Sequence, residues 1–505
     1  MNKKVFKNTL FLYFRTAITM LIALYTSRII LQVLGVEDYG IYNVVGGIIA
    51  MFQTLSATLS GATQRFITYA LGTKDPKNLQ QVFSVSVRVH FFLAITIVIL
   101  AEIIGVWFLN SHLNIPNNRL YAANIVFQCS LVSFVLDIIS IPYNSAIIAY
   151  EKIKAYATIY IFQAIIRLGN VFLLQYIGFD KLILYALLEV GVSILTRLTF
   201  TIYCGKKCAN CNIVRVEQKE LYRQITTFCG WNFLGTSSTI IYNQGGNILL
   251  NLFWGVTLNA AIGVTNQVQN AVTSFTNNFT LALNPQITKS YAAKDYDQTF
   301  NSIFSGSKIS VYLLMIIVLP LIINADYILH LWLTNVPKYT ILFVQASLIL
   351  AVCNSFFPTL QCALFATGKI KKYQIFCFLM NSSKVIMLYI GFKMHLTPLI
   401  LYIIPFILTF YQIGVILKKL QENFNFPIKK YYQNIVVRSL IIFGFLLAIY
   451  IVILNSIKIE NNFLIFIGES LCITIVNIII ISYGGVSKKE RLKLSSIIKQ
   501  KIKRI

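Results

Sequence analysis

The chain has 505 residues, 57% of them hydrophobic and only 12% charged, and its mean hydropathy is +0.71. Soluble domains carry about 25% charged residues, so the composition excludes a soluble globular protein and describes one built into a membrane. The formal charge of +26, from 43 Lys and Arg against 17 Asp and Glu, does not call for nucleic acid, because it follows the loops.

In chain order, Met1-Asn2-Lys3-Lys4 runs straight into an apolar segment with no small-residue cleavage site, so no cleaved leader is expected. Helical spans are predicted over 8–34, 40–71, 83–109, 120–147, 154–177, 181–204, 221–253, 257–283, 302–325, 339–366, 371–393, 396–419, 433–456 and 462–484. Most hold about 20 or more largely apolar residues, enough to cross about 30 Å of hydrocarbon. Alternate connections and both termini carry 29 lysines and arginines, whereas the opposite connections carry five: Arg119, Lys181, Lys338, Lys393 and Lys458. This positive-inside bias predicts cytoplasmic termini and an even number of spans.

Nine basic residues lie inside spans or at their edges: Arg15, Arg28, Arg65, Arg88, Arg167, Arg197, Lys308, Lys384 and Arg438. Each costs roughly 2.5 to 3.5 kcal/mol to insert on translocon scales, so a cluster of them points to an anionic passenger. Arg15 shares a stripe with Asn8, Thr19 and Thr26, while Arg28 lies round the helix nearer the outer end. Arg65 aligns with Thr54, Thr58, Gly61 and Thr68, and is as far from the inner end of its span as Arg15 is from its own. The pair reads as a cationic cleft entrance or, alternatively, as two snorkelling side chains. Arg88 and Arg438, close to the inner edge, read as snorkelling.

Span five puts Tyr160, Gln163, Arg167 and Asn170 on one face, with Arg167 near mid-membrane. Its alternatives are substrate contact or an ion pair with Glu189 or Asp137, and Arg197 is open to the same pairing. Spans seven and eight carry neutral groups, including Asn243, Gln244, Asn247, Asn266, Gln267 and Asn270. These amides suit sugar hydroxyls, or equally serve as glue between helices. Cys204, Cys208 and Cys211 lack a fourth zinc ligand and read as reduced thiols. There is no phosphate-cradling G-x-x-x-x-G-K-[ST] loop, metal cluster or nucleophile triad, so neither cofactor nor catalysis is expected.

An internal repeat organises the whole. Ala149–Tyr156 and Ala366–Tyr373 both read A-x-x-K-I-K-x-Y at an offset of 217, each after a span containing proline (Pro142, Pro358). Gly35-Val36, Ile67-Thr68 and Lys74-Asp75 recur as Gly255-Val256, Ile287-Thr288 and Lys294-Asp295 at an offset of 220. Copies six spans apart have the same orientation, so the repeat is parallel, and Lys384 falls at the position equivalent to Arg167. The predicted fold is all-α and polytopic, with two pseudo-symmetric six-helix lobes, 1–204 and 221–420, about a central cleft. A basic linker (205–220) joins them, and two extra helices (421–484) and a basic amphipathic inner-surface tail (485–505) follow.

Ser27-Arg28-Ile29-Ile30-Leu31, then Leu34 to Asn43 (LGVEDYGIYN), Ala62-Thr63-Gln64-Arg65-Phe66 and Asn284 to Tyr291 (NPQITKSY) resemble bacterial polysaccharide flippases. These belong to the multidrug/oligosaccharidyl-lipid/polysaccharide exporter superfamily, and the resemblance spans essentially the whole chain. It implies alternating access between two lobes and transfer of undecaprenyl-pyrophosphate-linked oligosaccharide to the periplasmic leaflet of the inner membrane. Related flippases line the cleft with arginines on the first two helices, which here are Arg15, Arg28 and Arg65. The lipid II flippases also carry an arginine on the eighth helix, which this chain lacks. On this reading Arg15 and Arg65 receive the pyrophosphate and Arg28 and Arg167 guide it outward. A proton or sodium gradient would act through Glu102, Asp137 or Glu189, and a polysaccharide polymerase and a chain-length regulator would be partners. The rivals are a cation-coupled multidrug exporter of the same fold, which would need acids rather than arginines in its cleft, and a membrane polymerase or glycosyltransferase, which would need a large outward catalytic loop.

Overall fold

The computed structural model describes residues 3–112, 115–216, 218–333, 336–456, 463–485 and 491. Among these, every regular element is a helix, as expected where lipid leaves no water to satisfy open backbone groups. The elements are α1 (Lys3–Gly72), α2 (Pro76–Leu100), α3 (Val106–His112), α4 (Leu120–Ala149), α5 (Ile153–Tyr176), α6 (Lys181–Lys207), α7 (Lys219–Trp254), α8 (Val256–Ala292) and α9 (Tyr296–Ile323). There follow α10 (Ala325–Trp332), α11 (Thr340–Asn354), α12 (Phe357–Ala366), α13 (Lys371–Lys393), α14 (Ile400–Phe424), α15 (Ile428–Tyr431), α16 (Arg438–Ser456) and α17 (Phe463–Gly484). Wide helical turns over Ala101–Gly105 and Tyr432–Val437 join α2 to α3 and α15 to α16.

Ten of the fourteen expected spans are long and apolar enough to cross a membrane among the described residues. α1, α7 and α8 fall outside that set; α1 holds Arg15, Arg28 and Arg65, and α7 and α8 hold most of the amides. The expected tenth span is broken near Ser355 into α11 and α12, and the expected amphipathic tail lies outside the described residues except for Arg491.

Two compact units are present. The first comprises Met1–Thr236, Asn284–Asp295 and Gly368–Gln374. Its core is built from α1, α2, α4, α5 and α6 around Ile30, Val45, Phe127, Phe134, Val171 and Leu182, all less than a tenth exposed. At one rim Arg119 clasps Asp180 (2.5 Å) and both oxygens of Asp38, tying the start of α4 to the N-cap of α6 and to the break in α1. The second comprises Ser237–Leu283, Tyr296–Thr367 and Ile375–Ile505, with Leu250, Ala261, Phe343, Leu388 and Phe392 in its core. There the fully buried Tyr431 donates to Ser307 Oγ (2.8 Å), which meets Thr359 Oγ1 at 2.5 Å, fixing the helices after α14 against α9 and α12.

The repeat read from the sequence is also present in the backbone. Left-handed residues occur in pairs at the same offsets: Gly35 (φ 78°) and Gly255 (82°), Lys74 (57°) and Lys294 (60°), Glu151 (57°) and Gly368 (75°). Turn geometry has thus been kept in both copies even where the side chain is not glycine.

Candidate functional site

In the first unit, the α1 cations are held against aromatic rings. The Arg15 guanidinium lies 5.1 Å from the Tyr156 ring and 5.6 Å from that of Tyr160, both on α5. Tyr160 in turn accepts a hydrogen bond from Asn144 on α4 (3.1 Å). Arg65 sits over Phe66 (4.6 Å), Tyr69 (4.9 Å) and Phe228 (5.4 Å). Ring faces offset part of the cost of a poorly hydrated cation. Arg28 belongs to α1, but its side chain lies outside the described residues.

Arg167 on α5 meets Glu189 on α6 at 3.1 Å, and nearly half of its side chain remains exposed. It is therefore both ion-paired and accessible. Asp137, on α4, is exposed and close enough to feel both charges. The amide of Asn170 donates to the Leu188 carbonyl (3.3 Å), so this buried side chain joins α5 to α6 rather than lining a cleft. Gln163 is half-buried on the same helix. Glu102 is exposed in the wide turn after α2 and accepts from Gln128 (3.2 Å).

Two arginines depart from the sequence reading. Arg197 has no carboxylate beside it among the described residues; its guanidinium stacks at 4.2 Å on Tyr143. Arg88 is tied to the linker. It donates to the Tyr222 hydroxyl (2.7 Å) and to the carbonyls of Val214 (3.0 Å) and Val216 (3.4 Å). Ser84, one turn earlier, accepts from Val214 N (2.8 Å) and donates to Asn212 O (3.3 Å). The linker is a strap bound to α2. At its start Cys204, Cys208 and Cys211 are buried together, and among the described residues no group of three or more His, Cys, Asp or Glu is placed to hold a metal ion. Hydrogen bonding to the Cys204 thiol and burial hold the Cys208 thiol well above its ordinary range, which makes it a poor nucleophile.

In the second unit Lys384 is only 8% exposed. Its Nζ lies 3.0 Å from Asn381 Oδ1 and 5.4 Å from the Tyr242 ring, and Asn381 donates to Ser238 (2.9 Å). The Lys384 cation is thus housed among neutral polar groups, unlike that of Arg167. Arg438 donates to the Gly484 carbonyl at the end of α17 (2.6 Å), which caps that helix.

α8 is amphipathic in an unusual sense for a membrane helix. Ala261, Ile262, Thr265, Val272 and Thr276 are buried, while Asn266, Gln267, Asn270 and Asn277 form an exposed stripe. On α7, Asn243 and Gln244 are exposed and Asn247 is half-buried. Hydrocarbon would leave such exposed amides unsatisfied.

The sequence model of a family described as polysaccharide biosynthesis protein matches residues 5–290. The comparison with curated proteins gave no match. Among solved structures, an outward-facing multidrug resistance MATE family transporter of the MOP superfamily aligns with TM-score 0.70 at 14% identity, over 82% of this chain and 93% of that one. A MOP superfamily transporter from Pyrococcus furiosus, titled for the reverse polarity of its binding pocket, aligns with TM-score 0.71 at 14% identity, over 83% and 95%. A mutant MATE transporter from Vibrio cholerae gives TM-score 0.71 at 14% identity, over 84% and 98%. At such identities the likeness concerns the fold.

Proposed function

We infer function from a settled premise: the chain belongs to the polysaccharide biosynthesis protein family and has the fold of MOP-superfamily transporters. It is a multi-pass membrane transporter, and its passenger is an oligosaccharide linked through pyrophosphate to a polyprenyl lipid. The observation that carries this reading is the division of polar labour. Cations on α1 and α5, with Arg167 half-exposed, suit a diphosphate, whereas the uncovered amides of α8 suit sugar hydroxyls. Arg15 and Arg65 receive the head group, and Arg28, Arg167 and Lys384 contribute positive potential further along.

Orientation follows from the basic connections, which place the end carrying Lys74, Lys152 and Lys289 in the cytoplasm. The carboxylates beside Arg167, Glu189 and Asp137, are the natural place for a coupling proton or sodium ion, because a cation bound there would alter how strongly Arg167 is held. A multidrug exporter is the second reading, favoured by the MATE neighbours. Its cationic cargo would find the arginines repulsive.

The test is translocation in proteoliposomes carrying a fluorescent lipid-linked oligosaccharide. Protein-dependent loss of the label from the accessible leaflet is expected, and abolished or at least tenfold slower movement in Arg15→Gln and Arg167→Gln. Unchanged rates in both correctly inserted variants, or transport of a cationic dye in place of the lipid, would overturn the assignment.

A further inference from the structure

The basic end of the first unit contains a contact made twice. Lys289, near the end of α8, pairs with Glu151 in the connector between α4 and α5 at 2.9 Å, with both side chains largely covered. Arg65, near the end of α1, lies under Gly368 in the connector between α12 and α13; a Cβ on that glycine would stand 2.9 Å from Arg65 Nη2. Glu151 and Gly368 are the same position of the repeated A-x-x-K-I-K-x-Y motif, and both are left-handed. Each copy's helix therefore sets a cation against the turn of the other copy's connector. Between the two contacts the helix ends touch directly: a Cβ on Gly72 would meet Ala292 Cβ at 2.6 Å and Lys289 O at 2.8 Å.

The copies differ in two respects. One connector presents a carboxylate to its cation and the other presents glycine. By the 220 offset, Lys289 stands one turn nearer the helix end than the equivalent of Arg65, roughly 6 Å at 1.5 Å per residue. The two cations are thus staggered in depth at the end where a lipid diphosphate would arrive.

We propose that Glu151 is a built-in stand-in for the substrate anion: it holds Lys289 in the closed seal, and an arriving diphosphate displaces it, taking Lys289 and then Arg65 as ligands. This rests on the function proposed above, and assigns Lys289 as a binding residue and Glu151 as a positioning residue that makes the seal give way to anions. The exchange is favourable because a lipid diphosphate carries about two charges and more acceptor oxygens than one carboxylate. It also selects cargo, since a neutral lipid or a cation has nothing to offer Lys289.

The test compares full-length protein, Glu151→Gln, Lys289→Gln and the double variant in nanodiscs, titrated with farnesyl diphosphate. A latch with no ligand role predicts the same direction of change for both single variants, because each removes the same ion pair. Exchange predicts opposite directions: Glu151→Gln tightens binding about three- to tenfold, Lys289→Gln weakens it about tenfold, and the double variant follows Lys289→Gln. Hydrogen exchange gives a second readout, in which the diphosphate raises exchange over residues 149–156 of the wild type and adds nothing in Glu151→Gln. Changes of the same sign in the two single variants, or no rise at 149–156 on saturation, would overturn the exchange while leaving the function above standing. No binding of the diphosphate by any form would overturn both.

Discussion

Arg88→Met separates two physical pictures of a cation near the membrane edge. If Arg88 merely snorkelled, losing its charge would leave the linker undisturbed. In the structure its guanidinium reaches one hydroxyl and two carbonyls on residues 214–222. A hydrogen bond to a charged group contributes about 1.5 to 3 kcal/mol. The Val216 contact, at 3.4 Å, is long, and the released carbonyls regain water at this edge, so the loss is on the order of 3 kcal/mol rather than the sum of three bonds. That corresponds to roughly a hundredfold fall in protection against local opening. Hydrogen exchange of a peptide covering 209–219 reads this directly, and peptides from α4 and α5 serve as controls. Unchanged exchange at 209–219 would refute the strap, and an equal rise everywhere would mean the whole unit had loosened instead.

Other outcomes follow from named contacts. Gly72→Ala should cost about 1 to 3 kcal/mol by overpacking, lowering Tm, because the added Cβ would stand 2.6 Å from Ala292 Cβ and 2.8 Å from Lys289 O, a backbone atom that cannot swing aside; an unchanged Tm would count against this packing. Burial alone would raise the Asp180 carboxyl, but hydrogen bonds from Arg119 and from the backbone of Ile183 and Leu182 prevail and hold it below its ordinary value. Its contribution is therefore complete at neutral pH and is lost as pH falls below about 4; the fall in Tm between pH 5 and 3 should shrink in Asp180→Asn, and an identical profile would contradict the clasp. Lys384→Met keeps the volume and removes a buried charge, so Tm should hold or rise while translocation drops at least tenfold. Undiminished translocation would return Lys384 to a structural role.

How far the sequence could be read depended on the range of the forces involved. Spans and repeat were legible because lipid imposes length and apolarity on every crossing and the duplicated turns keep their local signals. The breaks at Gly35 and Gly255 are written in the glycines themselves. The partners of the charges were less legible. Arg88 binds carbonyls more than 120 residues away, and a carbonyl carries no residue-type signal. Arg197 takes an aromatic face, where the sequence offered an acid as one alternative. Arg119 and Lys289, which counted only towards loop charge, each close a contact between distant helices. For the α7 and α8 amides the choice between glue and lining needed exposure: Asn232 is buried and donates to the Thr58 carbonyl (3.1 Å), while Asn266 and Asn270 are uncovered.

The left-handed turn at Glu151 has a bearing on how such a transporter can be altered. A side chain held at φ 57° costs about 1 to 2 kcal/mol relative to glycine, and the twin position, Gly368, is free of that cost. The first connector is therefore under tension that a single substitution would relieve. Glu151→Gly would give a more relaxed turn whose neighbouring lysine has lost its tether. That relief is set against a largely covered lysine left without its carboxylate, so the strained turn and the guarded door come together.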